Sequence, residues 1–165
     1  MTYNSDSHLV VIPTYNEIEN IRLFLDELLE FNISVLIVDD NSPDGTGQVV
    51  EKLASSSSKL HLLKRSGKLG LGSAYRDGFL WGLNKKFSFM VQMDADFSHR
   101  FNDLDNILNE SKTSDLVIGS RYIEGGGSEG WDFKRKLLSK SANLVSRIVL
   151  QSRINDMTSG FRCYS

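Results

Sequence analysis

Cysteine is nearly missing from this chain of 165 residues, with Cys163 standing alone. That excludes an internal disulfide and, with no Cys/His cluster nearby, a zinc site; a reducing, cytosolic setting is the expectation. An excess of basic charge is missing too. Nineteen Lys and Arg face 21 Asp and Glu, for a net charge of −2, so no nucleic-acid partner is expected. Long apolar runs are absent: nothing approaches the ~18 residues that a membrane span needs, which still leaves open lying on a membrane surface. The opening "MTYNSDSHLV" has no apolar core of a signal peptide. What remains, 40% hydrophobic and 24% charged residues, is the make-up of a single globular domain, and 165 residues suffice to bury about 70% of the unfolded surface.

Short, branched apolar runs punctuate the chain: Leu9 to Ile12, Val35 to Val38, Leu60 to Leu63, Phe89 to Met93 and Leu116 to Gly119. They read as strands buried on both faces. Helical patterns lie between them. Glu19 to Phe31 carries Ile21, Leu25, Leu28 and Leu29 on one face, with Asn16 as a candidate cap; Thr46 to Ala54, Gly72 to Leu83 and Asn102 to Ser111 follow. This alternation predicts an α/β fold with a mostly parallel, Rossmann-like sheet flanked by helices. After Gly119 the rhythm changes. Ile123 to Trp131 is glycine-rich, a long helix is expected over Phe133 to Gln151, and the chain stops inside what reads as another strand. One domain over 1–165 is expected, with a nucleotide-binding half at about 8–100 and an acceptor half at about 101–165.

Ligands of parallel α/β sheets bind beyond the C-terminal ends of the strands. The segments there are "PTYNE", "DDNSPDGT", "DADFSH" and "SRY": three carry acids and the fourth an arginine. The stretch Ser42 to Thr46 also suits a plain turn into a helix, with Thr46 as cap. "GKLGLGSAYRDG" has Tyr75 where a dinucleotide fingerprint needs its third glycine, so a glycine-rich helix entry near a phosphate fits better. Asp94 and Asp96 are the most informative pair. On a strand they would share one side, about 6.5 Å apart, and repel by roughly 2–3 kcal/mol at an effective dielectric of ~20. A hard cation removes that cost. Two carboxylates plus substrate phosphates suit Mg²⁺ or Mn²⁺, so a metal between the protein and a diphosphate is expected at Asp94 and Asp96.

Taken in order, "PTYNE", "VDDNSPDGT", "GLGSAYRDGF", "MDADFSH", "IGSRYIEGG", "GWDFKRK" and "TSGFR" resemble the signature of the dolichol-phosphate mannose synthases, which belong to glycosyltransferase family 2 and have the GT-A fold. The likeness runs from Val10 to Tyr164. It implies transfer of mannose from GDP-mannose to a dolichyl or polyprenyl phosphate, with inversion. It also implies residue roles. Pro13, Tyr15, Glu17, Val38 and Asp40 would meet the nucleoside. Asp94, Ala95 and Asp96 would hold the sugar diphosphate through the metal. Arg121 and Arg135 would meet the acceptor phosphate. Asp156 would orient; relatives with hydroxyl acceptors keep a general base there. Arg100 and Phe101 depart from the family, which commonly has prolines after "SH". The family's catalytic domain continues past "SGFR", so this length of chain is expected to bind donor and turn over slowly, unless a further C-terminal segment or a membrane-anchoring partner completes it.

A phosphate acceptor is largely ionised at neutral pH and needs positioning more than deprotonation, a task suited to arginine. On the long helix, Lys136, Lys140 and Arg147 form a basic stripe, and Leu137, Leu144, Val145 and Ile148 an apolar one. The apolar face could pack on the sheet or lie on anionic lipid. The expected place is the cytoplasmic face of a membrane, held peripherally. Two alternatives stay open: a UDP-sugar-dependent transferase of the same family acting on a polyprenyl phosphate or glycan, and a non-catalytic subunit that binds a nucleotide sugar.

Overall fold

The computed structural model describes residues 7–127 and 132–165, with the backbone alone at 133, 135 and 136. Strands β1 (His8–Thr14), β2 (Ser34–Asp39), β3 (Leu60–Lys64), β4 (Phe89–Gln92), β5 (Leu116–Ile118) and β6 (Arg162–Tyr164) form one sheet in the order β3-β2-β1-β4-β6-β5. The first four are mutually parallel, whereas β6 lies antiparallel between β4 and β5. β5 therefore runs with the first four, and the chain enters β6 at the edge where the parallel strands end. The mostly parallel sheet is as expected; the reversed strand, next to the β5 edge, could not be read from periodicity. Burial on both faces holds for β1 and β2. It fails at the two edges, where β3 is half-buried and Leu116 of β5 is exposed, because an edge strand has a neighbour on one side only.

Helices α1 (Ile21–Leu28), α2 (Thr46–Ala54), α3 (Leu71–Asn84), α4 (Phe101–Glu110) and α5 (Phe133–Val149) flank the sheet or follow it. Alternation along the strands feeds two cores. Val10, Ile12, Val35 and Ile37 pack with Phe24, Leu25, Val50, Leu104 and Leu108. Leu9, Val11, Leu36 and Val38 pack with Ala74 and Tyr75 of α3. α3 comes close because it presents glycine to the sheet: a Cβ at Gly78 would collide with Val11, and one at Gly82 would lie 2.8 Å from Leu9. Cys163 sits in the first core, and burial pushes its thiol up to about 11, so it is an inert packing residue.

Two capping expectations are corrected. Asn16 does not cap α1, which begins after Asn20; Asn16 adopts φ 63° and its N–H donates to Ser42 Oγ at 3.1 Å. Thr46 does not cap α2 either. Asp44 Oδ1 accepts from the Thr46 N–H (2.9 Å) and hydroxyl (2.7 Å), while Gly45 turns the chain at φ 97°. Both departures have one cause. The loops after β1 and β2 are laced together, with Glu17 N–H donating to Thr46 Oγ1 and Ile18 N–H to Asp44 Oδ2, both at 3.0 Å. The Asn16 backbone N–H and the side chains of Thr46 and Asp44 are used to bind one loop to the other.

Candidate active site

All four loops after β1, β2, β4 and β5 open on one edge of the sheet, joined there by the turn that enters β6. Asp94 and Asp96 lie on that edge but not on a strand. β4 ends at Gln92, and the two acids occupy a bend in which Phe97 takes φ 58°. Their separation is thus set by separate partners and not by the pleat. Asp94 Oδ1 accepts the Tyr75 hydroxyl at 2.9 Å. Asp96 Oδ1 accepts the Ser98 N–H at 3.0 Å. Burial works to raise the pKa of Asp96, but the hydrogen bonds from Ser98 outweigh it and hold the carboxyl below its ordinary range, so Asp96 is ionised. Ala95, between them, is buried in the first core and anchors the bend.

Neither Tyr75 nor His99 was expected at the site, and both grip Asp94. Tyr75 projects from α3, and its hydroxyl also reaches Met93 O at 3.3 Å. Burial, then the charge of Asp94, raise its pKa, so it stays a donor. The residue that spoiled the glycine fingerprint is thus a ligand of the acidic loop. His99 Nδ1 accepts the Asp94 N–H at 3.2 Å, its Nε2 lies 4.0 Å from Asp94 Oδ2, and its ring stacks on Phe161 at 4.7 Å and 7°. Burial lowers the His99 pKa against the pull of Asp94 and Asp96, leaving the ring neutral at neutral pH. A lone "SH" in a loop carries no signal for such a contact, since Phe161 arrives from 62 residues further along. Arg100, where the family commonly has proline, sits at φ −73°, an angle proline also adopts, and leads into α4 without distortion.

In the loop after β1, Pro13 and Tyr15 are half-buried, and Lys68 Nζ lies 4.3 Å over the Tyr15 ring. Burial, followed by the charges of Asp96 and Asp44, raises the pKa of Glu17, so Glu17 lies within electrostatic reach of the acidic bend. Val38 pairs with Pro13 across β1 and β2. Its side chain is fully buried between the sheet and α3 and supports the site from below. Of the neighbouring acids, Asp39 is structural, accepting from Thr14 Oγ1, the Ser42 N–H and the Ser42 hydroxyl. Asp40 is the one facing the loop after β3: Oδ2 accepts the Leu69 N–H at 3.3 Å, and Oδ1 lies 3.3 Å from Arg65 Nη1.

Arg121 and Asp156, expected as separate site residues, form one unit. Asp156 is fully buried and accepts Arg121 Nε (2.7 Å), Nη2 (2.8 Å) and N–H (3.1 Å). Arg121 Nη2 also reaches Thr158 Oγ1 at 2.7 Å. Burial alone would raise the Asp156 pKa; the bonds from Arg121 bring it down to about 2. A group so acidic is ionised at neutral pH and stands fixed against Arg121. The Arg135 side chain lies outside the described residues, as do that of Lys136 and all of Trp131. The apolar stripe of α5 does not pack on the sheet: Leu137, Leu144, Val145 and Ile148 are all more than half exposed. α5 is held through buried Asn143, whose amide donates to Thr158 Oγ1 (3.2 Å) and accepts the Met157 N–H (2.7 Å). A cleft of about 250 Å³ opens beside it, lined by Tyr122, Lys140, Asn143, Leu144, Arg147 and Asn155.

Among the described residues no group of three His, Cys, Asp or Glu side chains is placed to hold a metal. The donor set nevertheless fits a hard divalent cation. Asp94 and Asp96 each have one oxygen engaged by a hydrogen bond, Asp96 is ionised, and Mg²⁺ commonly takes only one or two carboxylates and completes its shell with substrate phosphate.

A mostly parallel α/β sheet with one reversed strand thus gathers acids and an arginine at one edge. The sequence matches the profile described as "Glycosyl transferase family 2" over residues 9–165, and the chain belongs to that family. It has the GT-A fold, and is 26% identical to the solved mannosyltransferase PcManGT from Pyrobaculum calidifontis in complex with GDP-Man and Mn²⁺. That match has a TM-score of 0.55 and covers 69% of this chain and 35% of the other. Among curated proteins it is 44% identical over 160 residues to the polyprenol monophosphomannose synthase of Mycolicibacterium smegmatis, covering 94% of this chain and 60% of that one. It is also 44% identical over 158 residues to the undecaprenyl-phosphate mannosyltransferase of Micrococcus luteus, covering 94% and 65%. The chain thus spans less than two thirds of the length of these relatives.

Proposed function

We propose that this chain is the catalytic part of a polyprenyl-phosphate mannosyltransferase that moves mannose from GDP-mannose to a polyprenyl phosphate. The observation that carries the reading is the 44% identity to two such enzymes across 94% of the chain, joined to a site with an acidic bend and an oriented arginine on one edge. Half of the site, about 8–100, serves the donor; the rest, about 101–165, serves the acceptor.

Pro13, Tyr15, Glu17 and Asp40 line the nucleoside side. Asp94 and Asp96 would hold Mg²⁺ or Mn²⁺, which when bound neutralises the charge that develops on the leaving diphosphate. Tyr75 and His99 keep Asp94 aimed. Arg121, whose Nε and Nη2 are bound by Asp156 and Thr158, would meet the acceptor phosphate as a fixed positive charge, and Arg135 would be a second. That phosphate is already ionised, so no side chain need take its proton. The acidity of Asp156 suits this, because a carboxyl held at about 2 is no base. One displacement at the anomeric carbon inverts it. The lipid is met at a membrane surface, supported by the exposed apolar stripe of α5 and by Lys140 and Arg147 around the adjoining cleft. No helix among the described residues is long and apolar enough to cross a membrane.

The test is transfer of labelled mannose from GDP-mannose to a polyprenyl phosphate by the natural full-length protein carrying this chain, with Mn²⁺ or Mg²⁺. Transfer is expected, lost with Asp94→Ala or Asp96→Ala. Turnover of UDP-glucose in its place would favour the UDP-sugar alternative. Nucleotide-sugar binding without turnover would favour a non-catalytic subunit.

A further inference from the structure

We propose that Arg65 is a positioning residue that sets the donor-base selectivity of the site by pinning one oxygen of Asp40; this rests on the donor reading above. Arg65 directly follows β3, and its N–H donates to Asp39 O at 2.8 Å, so its backbone is locked to the end of β2. Its side chain is only 4% exposed and turns toward α3. There Nη2 donates to Ser73 Oγ at 2.6 Å and Nε lies 3.5 Å from Asp77 Oδ2, two positions one helical turn apart on α3. Nη1 faces Asp40 Oδ1 at 3.3 Å. One guanidinium thus ties the end of β2 to the first turns of α3.

The network is poorly built for stability. Asp40 Oδ1, Arg65 Nε and Arg65 Nη1 are buried without a hydrogen bond among the described residues, so their charges meet without the geometry that offsets desolvation. Such a buried pair is weak evidence for stability and better evidence for orientation. What it orients is the carboxylate at the nucleoside side of the site. Asp40 Oδ1 faces the Arg65 charge at 3.3 Å without a hydrogen bond, while Oδ2 takes one long hydrogen bond, from the Leu69 N–H at 3.3 Å. Leu69 belongs to the short Ser66 to Gly70 loop, which also carries Lys68 over the Tyr15 ring. Gly70, at φ 96° and with open space around it, lets that loop leave α3 sharply. The loop touches both Asp40 and Tyr15, and Arg65 is its root. A nucleobase N–H takes the place of Leu69 N–H on Oδ2, and the exchange is specific only while Oδ1 stays fixed. Without Arg65 the carboxylate is a lone buried charge that rotates or protonates, and the acceptor offered to the base is lost.

The experiment is titration calorimetry of the full-length protein with GDP and with UDP, both with Mn²⁺, for wild type, Arg65→Gln, Ser73→Ala and Asp77→Asn, with a thermal melt of each. Arg65→Gln is expected to weaken GDP by about tenfold, the effect of ~1.4 kcal/mol of lost hydrogen bonding, and UDP by less than about threefold, so the GDP-to-UDP ratio collapses. Ser73→Ala and Asp77→Asn shift the ratio the same way by less, with melting near wild type. A folded Arg65→Gln that keeps the wild-type ratio, or loses both nucleotides equally, overturns the proposal. If Arg65→Gln does not fold, unchanged ratios in both milder variants overturn it. Wild type that prefers UDP sinks the GDP reading alone, since the ratio in the variants still judges Arg65; wild type that binds neither nucleotide sinks both.

Discussion

Replacing Asp156 with Asn should remove a pH-dependent part of the stability of this fold, and its size follows from the site. Asp156 is fully buried and accepts three hydrogen bonds from Arg121 and one from the Thr158 N–H at 3.2 Å. These bonds favour the charged form and bring its pKa from the ordinary 3.8 to about 2. At about 1.4 kcal/mol per pH unit, that gap is worth about 2.5 kcal/mol. The folded pKa is the depressed one, so the contribution is complete above 3.8 and is lost as pH falls toward 2. Asparagine keeps the shape but presents an NH₂ where Arg121 needs an acceptor. Urea unfolding of wild type and Asp156→Asn in steps from about pH 6 to about pH 2.5 is the assay. Wild type should lead by about 2–3 kcal/mol at the upper end, and the lead should shrink by most of that at the lower. Other carboxylates titrate in both proteins and cancel in the difference. A lead that does not change with pH, or that is below about 0.5 kcal/mol at pH 6, would refute the account of Asp156 as the fixed counter-charge of Arg121.

Tyr75→Phe removes the hydroxyl that holds Asp94 at 2.9 Å. The Asp94 side chain is 39% exposed, so water replaces part of the bond. GDP affinity with Mn²⁺ should fall about three- to tenfold by calorimetry, for a loss of ~1 kcal/mol; an unchanged affinity would show that Tyr75 does not aim Asp94. Gly78→Ala should destabilise by about 1–3 kcal/mol in chemical denaturation, because its Cβ meets Val11 beneath α3; a neutral result would mean the helix has room to move. Chelation of divalent metal should abolish GDP binding by wild type, and Mn²⁺ should restore it; Asp96→Ala should bind weakly in either case, and metal-independent binding by wild type would remove the metal from the donor site.

Much of residues 8–100 was legible because its signals are local. Branched runs ending in acids, as at Val38 to Asp40 and Met93 to Asp96, announce strands whose ends carry carboxylates, and it is the place of "DAD" after a buried strand, beside the other acidic loops, that raised the expectation of a hard cation. The order of the motifs carried the family. Partnerships were not legible, because each is a contact between segments far apart in the chain. Nothing local shows that Arg121 and Asp156, 35 residues apart, spend their charges on each other, or that Tyr75 and His99 hold Asp94. The same holds for Asn16, which any local rule makes a cap and which the β2 loop claims instead. Sequence by itself determined which chemical groups stand at the ends of which strands, since side-chain type and period are properties of neighbours along the chain. Only the tertiary structure decided which of those groups are charged, occupied or aimed, since burial and opposing charge come from whatever the fold packs against them.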